Sequence, residues 1–217
     1  MSAPSGIRPG FPPAAIAFYE GLEADNSRDY FQAHKQTYLD CVRAPMEALL
    51  EALEDEFGPA HLFRPHRDVR FSADKSPYKD HQGAIAGPST ALGLYAAISA
   101  DGLVAGGGFR ATDAGVTRRY RQAVDAPDSG QQLQRIVAAL TADGFVVEAE
   151  AVATAPRGYA KDHPRIELLR YRELKVLKHF GTPRWLGTPD VVGQVRAAWR
   201  AVLPLRDWAE HHVLPPG

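Results

Sequence analysis

The sequence predicts an α+β fold, with an antiparallel or mixed sheet and with helices packed on one face of the sheet and at its ends. The chain has 217 residues, of which 45% are hydrophobic, so it can bury a sizeable core. Two apolar runs, residues 94–98 and 103–105, flank Asp101-Gly102, which is the pattern of a β-hairpin. Apolar residues at helical spacing before and after this hairpin predict the helices.

The chain is predicted to form one domain, residues 11–217, after a flexible N-terminal tail of residues 1–10. The tail reads M-S-A-P-S-G-I-R-P-G and contains no apolar signal core. No run in the chain approaches the length of a membrane span, so no membrane contact is predicted. The one cysteine, Cys41, excludes an internal disulfide and predicts a reducing, cytoplasmic location.

Two helical segments are predicted near the N-terminus. Pro12 and Pro13 open the first, which runs to about Leu22. Asn26 or Ser27 caps the second, and Gly58 ends it. The second has an apolar face made of Phe31, Tyr38, Val42, Leu49, Leu53 and Phe57. We expect Pro45 to break or kink it near Ala44.

The elements after the hairpin follow from spacing and capping. Three glycines, residues 106–108, end the return strand and let another backbone, a bulge or a ligand approach closely. Helices are predicted around Val116, Tyr120 and Val124 and after a cap at Asp128 or Ser129. Short strands are predicted at residues 145–147 and 174–180. A helix starts at residues 188–190, and a separate last helix covers residues 205–212.

The most charged stretch of the chain is residues 67–79, R-D-V-R-F-S-A-D-K-S-P-Y-K, with four cationic and two acidic side chains. Alternation from His66 to Phe71 predicts a short strand that pairs beside the hairpin. The small and polar residues that follow predict a loop. Ser76 before Pro77 has the form of a helix N-cap followed by proline at the first helical position.

Two readings of this stretch stay open. In the first, it binds a small anionic ligand bearing phosphate or carboxylate, because arginine forks and lysine charges suit such groups. The residues predicted to bind are Arg67, Arg70, Lys75, Ser76, Tyr78 and Lys79, and Arg118, Arg119 or His163 could add to them. In the second, Asp68 and Asp74 pair with these cations inside a structural or protein-interaction module.

Whether the chain is an enzyme, and with which cofactor, stays open from the sequence. Metal-assisted phosphoester hydrolysis would use Asp68 and Asp74, although Asp74 and Lys75 would face opposite ways in an extended segment. His163 is a candidate general base. Ser76 and Lys79 match S-x-x-K, but no S-D-N or K-T-G accompanies them.

Metal and nucleic-acid partners are not predicted. The eight histidines form no zinc-binding pattern. The net charge of −1 gives no argument for a polyanion, and the basic residues lack interleaved aromatic side chains. A protein partner is compatible with the second reading of residues 67–79.

Several motifs in this order resemble the domain of unknown function 2461 family. They are Asn26-Ser27-Arg28-Asp29-Tyr30-Phe31, the stretch 67–79, the hairpin ending in Gly-Gly-Gly-Phe, Gly158-Tyr159 and Asp162-His163-Pro164. The resemblance covers the chain from Phe11 to about Phe180. It implies a soluble, mainly bacterial, single-domain protein and carries no assigned reaction. Ser27 and Tyr30 replace a second Asn and a Trp that family members often have, which keeps a capping and an aromatic side chain.

Overall fold

The computed structural model describes residues 8–68, 75–89 and 91–214. In these residues the predicted α+β fold is confirmed, and the sheet is antiparallel with the strand order β1-β2-β3-β4-β6-β5. The strands are β1 (Ala60–Leu62), β2 (His81–Ser89), β3 (Leu92–Ser99), β4 (Gly102–Arg110), β5 (Val146–Glu148) and β6 (Glu173–Gly181).

The helices lie before, between and after the strands. They are α1 (Pro13–Ala24), α2 (Arg28–Ala33), α3 (Lys35–Thr37), α4 (Ala44–Phe57), α5 (Ala114–Asp125), α6 (Pro127–Ala142), α7 (Ile166–Arg170) and α8 (Asp190–His212). A π-helical turn, Tyr38–Arg43, joins α3 to α4, and a 3₁₀ turn, Arg184–Gly187, precedes α8.

Residue contacts divide the chain into two compact units. The first unit consists of Met1–Gly87, Tyr95–Ala105 and His179–Ala197, and the second of Pro88–Leu94, Gly106–Lys178 and Ala198–Gly217. The single domain over residues 11–217 stays a prediction. Most of the predicted tail, residues 1–7, lies outside the described residues.

The predicted caps and kink of the N-terminal helices have clear counterparts in the first unit. The Tyr30 N–H donates to Ser27 Oγ at 3.0 Å, so Ser27 is the cap of α2. Before Pro45 the helix widens into the π-helical turn, in which the Ala44 N–H donates to the Leu39 carbonyl. Pro45 has no N–H for a normal helical bond, so a changed register at this point is physically expected.

Aromatic side chains form much of the core of the first unit. Phe31 lies within 6 Å of both Phe18 and Tyr38, with ring centroids 5.9 Å and 5.2 Å away. The Tyr38 hydroxyl donates to buried Gln82 Oε1 at 2.6 Å, and Gln82 Nε2 donates to the Phe63 carbonyl at 2.7 Å. The buried amide of Gln82 therefore ties β2 to the π-helical turn and to residue 63.

The predicted hairpin is present as β3 and β4. Gly102 has a φ of 97°, which a residue with a Cβ adopts only with strain. The glycine triplet of β4 lies against other backbone. A Cβ on Gly106 would collide with the Val176 carbonyl, and one on Gly108 with the Leu174 carbonyl. Of the three interpretations of the triplet, close approach of another backbone is therefore correct in the second unit.

Three sequence expectations were wrong. The sequence predicted a strand from His66 to Phe71 beside the hairpin, but β3 pairs with β2 on its other side, and residues 69–71 lie outside the described residues. The sequence hides β2 because its buried positions are small or polar, as at Gly83, Ala84 and Ala86. Helix α6 starts at Pro127 and not after a cap at Asp128 or Ser129. Helix α8 runs without a break through Pro204 to His212. Burial of Leu205, Trp208 and Ala209 in the second unit outweighs the lost hydrogen bond at Pro204.

Candidate functional site

Both ends of the charged stretch meet in a short antiparallel pair within the first unit. His66 pairs with Tyr78, the Arg67 N–H donates to the Pro77 carbonyl at 2.9 Å, and the Lys79 N–H donates to the Pro65 carbonyl at 2.8 Å. We call residues 65–67 and 77–79 the basic ribbon. No helix follows Ser76, so the predicted N-cap at Ser76 was wrong: the chain is extended at Tyr78 and pairs with His66 instead.

The pairing decides which side chains share a face. Paired residues point the same way and their chain neighbours point to the opposite face. Tyr78 is only 3% exposed, and its ring stacks on Phe31 with centroids 4.0 Å apart. Arg67 and Lys79 are the chain neighbours of the paired residues, so they lie together on the face away from the Tyr78 ring.

A neutral side chain holds the ribbon to the helices of the first unit. Asn26 Nδ2 donates to the Tyr78 carbonyl at 3.1 Å, and Asn26 Oδ1 accepts from the Tyr78 N–H at 3.1 Å. These two backbone groups of Tyr78 are the ones that the pairing with His66 leaves unused. The carboxamide of Asn26 thus forms the hydrogen bonds that a further strand would form with Tyr78. The sequence predicted only a capping role at residues 26 and 27.

Lys79 lies in a positive environment. Its Nζ is 5.0 Å from the centroid of the Phe63 ring, a cation–π distance. Burial and the neighbouring guanidinium groups of Arg64 and Arg67 lower the pKa of Lys79. The charged neighbours that act on this ammonium group are therefore cations, and they make its charge less favourable than that of a lysine in water.

An acidic group, Asp80, lies directly after the ribbon and contacts it. Asp80 Oδ2 lies 3.6 Å from Arg67 Nη2, and Asp80 Oδ1 lies 2.6 Å from His81 Nδ1. The Asp80 side chain is 55% exposed, so water weakens both interactions. Within the described ranges neither Arg64 nor Lys79 makes an ion pair.

The other residues of the stretch that were predicted to function are only partly described, and those described differ in exposure. Arg70 and Asp74 lie outside the described residues, so their predicted roles stay predictions. Asp68 and Lys75 are exposed, and Ser76 is partly buried. Tyr78 is held inside the first unit, and its position favours a supporting role over direct ligand contact.

His163, the predicted general base, belongs to the second unit and has both ring nitrogens engaged. Nδ1 lies 3.0 Å from the Arg165 N–H and therefore acts as an acceptor. Nε2 lies 3.1 Å from Asp125 Oδ1, so the proton of the neutral ring is assigned to Nε2. A base needs an available lone pair, which neither nitrogen offers in this arrangement.

The two other basic candidates, Arg118 and Arg119, contact different parts of the second unit. Arg119 Nε donates to the Val213 carbonyl at 2.8 Å and fastens the end of α8. Arg118 is exposed and lines a groove that contains no residue of the basic ribbon.

Two further findings concern metal-binding groups and membrane-crossing helices in the part of the chain that the structure describes. No group of three or more His, Cys, Asp or Glu side chains there could hold a metal ion. Across the same residues, no helix combines the length and the apolar character needed to cross a membrane.

The fold and the ribbon define an α+β protein with an antiparallel sheet and a cluster of cations on a short strand pair that is anchored through Tyr78. The chain belongs to the family described as conserved hypothetical protein (DUF2461), whose model matches residues 14–208. The resemblance inferred from the sequence motifs is thereby confirmed. No curated protein matches the chain.

Proposed function

We propose that the basic ribbon, together with Arg64, binds a small ligand through a phosphate or carboxylate group. The observation that carries this proposal is the environment of Lys79. Arg64 and Arg67 act on Lys79 as like charges, whereas Arg64 and Lys79 have no carboxylate partner among the described residues.

A cluster of like charges costs free energy unless an anion shares it. A phosphate or carboxylate placed at the cluster would accept charge-assisted hydrogen bonds from guanidinium and ammonium groups and remove the repulsion at Lys79. Cations that serve only as structural staples would instead be paired with acids or with backbone carbonyls. The support for a ligand is strongest at Arg64 and Lys79 for this reason.

One contact favours the alternative of a protein-interaction module. Asp80 approaches Arg67 and His81 together, which fixes the end of the ribbon to the start of β2. If that pairing dominates, the exposed cations would meet an acidic segment of a protein partner instead of a small ligand.

A cytoplasmic ligand fits the thiol chemistry of the chain. Burial, and to a lesser degree Asp40, raise the pKa of Cys41, which disfavours the reactive thiolate. A free cysteine is typical of proteins that function in a reducing compartment. We therefore place the proposed ligand among the phosphorylated and carboxylated metabolites of the cytoplasm.

The test is calorimetric titration of the protein with inorganic phosphate and with malonate at constant ionic strength. We expect Lys79→Met and Arg64→Gln each to weaken binding about tenfold or more, because each removes a charged donor. Methionine keeps an unbranched stem beside Phe63. Lys35→Met, which makes the same change at an exposed position of α3, is the matched control and should leave binding unchanged.

The unfolding temperature distinguishes a ligand-binding role of Lys79 from a structural one. If Lys79 binds a ligand, Lys79→Met should unfold at the same temperature as the parent or at a higher one, since a repelled cation is removed. A clearly lower unfolding temperature with unaltered phosphate and malonate affinity would contradict the proposal and support the structural role.

A further inference from the structure

The second unit contains a groove at the end of β4 and the start of α5. Its volume is about 600 Å³, which is a usual size for a small-molecule site. The groove is lined by Arg110, Ala111, Thr112, Asp113, Ala114, Thr117, Arg118, Arg121, Glu150, Arg172 and Glu173. Charged side chains of both signs thus surround it.

The acids of the groove already have partners. Asp113 Oδ1 accepts from the Gly115 N–H at 2.6 Å and from the Val116 N–H at 2.9 Å, so this carboxylate caps α5. Glu150 lies 3.6 Å from Arg172. Glu173, whose side chain is only 17% exposed, lies 3.3 Å from Lys175.

Two arginines of the groove take no part in these contacts of the acidic residues. Arg110, at the end of β4, and Arg118, on α5, are both exposed, and neither makes an ion pair within the described ranges. Arg118 shares one face of α5 with Ala114, Thr117 and Arg121, because these positions follow the helical repeat. Arg121 also lines the groove, and its Nε donates to the Leu169 carbonyl at 3.2 Å.

The threonine hydroxyls of the groove both donate to Asp113 in this arrangement. The Thr112 hydroxyl donates to Asp113 Oδ2 at 3.4 Å, and the Thr117 hydroxyl donates to the Asp113 carbonyl at 3.1 Å. A hydroxyl has one proton, so both are used. An anion in the groove would therefore be held by guanidinium groups, whose planar forks match phosphate and carboxylate oxygens.

We propose that this groove is a second ligand site, which binds a small organic molecule by its phosphate or carboxylate group between Arg110 and Arg118. Arg121 supplies further donors. Ala111 and Ala114 leave room for an organic part, since the groove is much larger than a bare oxyanion. The lining residues belong to the second unit alone, so the proposal for this groove and the proposal for the basic ribbon can be tested independently.

The experiment is a nitrogen-15 NMR titration of the full chain with inorganic phosphate, malonate and glycerol 3-phosphate. These probes distinguish phosphate from carboxylate recognition and a bare oxyanion from an organic ligand. We expect saturable shifts of the backbone amides of residues 111–117. Arg110→Gln and Arg118→Gln should each weaken the response about tenfold, as expected for loss of a charged donor.

Two controls separate this site from others. Arg135→Gln changes an exposed arginine on α6 of the same unit and should leave the shifts intact. Lys79→Met, in the basic ribbon, should leave them intact too. The proposal is overturned if the amides of residues 111–117 respond to none of the three probes, or if they respond in the two groove variants as in the parent protein.

Discussion

The basic ribbon and residues 163–165 are both short, irregular and charged, but opposite kinds of side chain hold them in place. In the second unit the charges themselves are the fasteners: Arg165 donates to the Val124 carbonyl at 2.6 Å and to the Asp125 carbonyl at 2.7 Å. In the ribbon the contacts that hold Tyr78 are neutral, namely the Asn26 carboxamide and the stacked Tyr78 ring, whereas the Asp80–Arg67 contact is weakened by water.

The difference shows how a structural cation can be told from one available to a ligand. Arg165 directs its donors at backbone oxygens, so its charge has been committed to the fold. Lys79 instead has an aromatic ring and two cations around it, and the ribbon does not depend on its charge for backbone pairing. Substitution of Arg165 should therefore lower stability, whereas substitution of Lys79 should lower ligand affinity.

The largest effect is expected for Arg165→Met. It leaves the carbonyls of Val124 and Asp125 without their donor, so we expect the free energy of unfolding to fall by roughly 2–3 kcal/mol. Urea denaturation measures the change, and Arg135→Met is the control on an exposed surface. Phosphate binding by any folded fraction should not change. A variant as stable as the parent would break the distinction between the two regions.

A smaller loss of stability is expected for Asn26→Leu. Two partly buried backbone groups of Tyr78 lose their partner, which should cost about 1–3 kcal/mol. Because the ribbon also loosens, phosphate affinity should fall with stability, unlike in Arg165→Met. The control, Gln32→Leu, makes a similar change at an exposed position of α2. Unaltered stability in Asn26→Leu would show that the carboxamide does not support the ribbon.

The smallest effect concerns the pH dependence of stability. The pKa of Lys79 in the folded protein lies below its ordinary value of 10.5, so between the two values the unfolded chain binds more protons. The free energy of unfolding should therefore gain a positive contribution as pH rises through that window. Lys79→Met should lack this contribution in urea titrations at alkaline pH. Bound phosphate should reduce it by raising the pKa of Lys79, and a slope insensitive to both changes would argue against a repelled lysine.

Local signals predicted the elements of the fold whose cause is local. Asp101-Gly102 identified the hairpin because its turn requires positive φ at glycine, and Ser27 was one of two candidates for the cap of α2 because its hydroxyl reaches an N–H three residues on. Strand β2 was not predicted, because the residue that requires a glycine at position 83 is distant in sequence. A Cβ on Gly83 would lie 2.7 Å from the Tyr95 hydroxyl.

The candidate site was predictable in composition but not in arrangement. Residues 67–79 stood out by charge density alone. The partner of Tyr78, however, is 52 residues away at Asn26, and Arg64 lies outside the motif. Whether an arginine meets a carbonyl, a carboxylate or nothing is decided by packing between distant segments, for which neither spacing nor alternation carries a signal.

The glycine strip of β4 offers a genetic tool. A single methyl group at Gly106 or Gly108 would strike a carbonyl of β6, and at Gly107 it would lie 2.6 Å from the Gly93 carbonyl. One-base changes that encode alanine there would remove the folded protein while leaving transcript and chain length intact. Alleles of that kind would reveal what a cell loses without this protein, and comparison with alleles of Lys79 or Arg118 would reveal how much of that loss belongs to either proposed site.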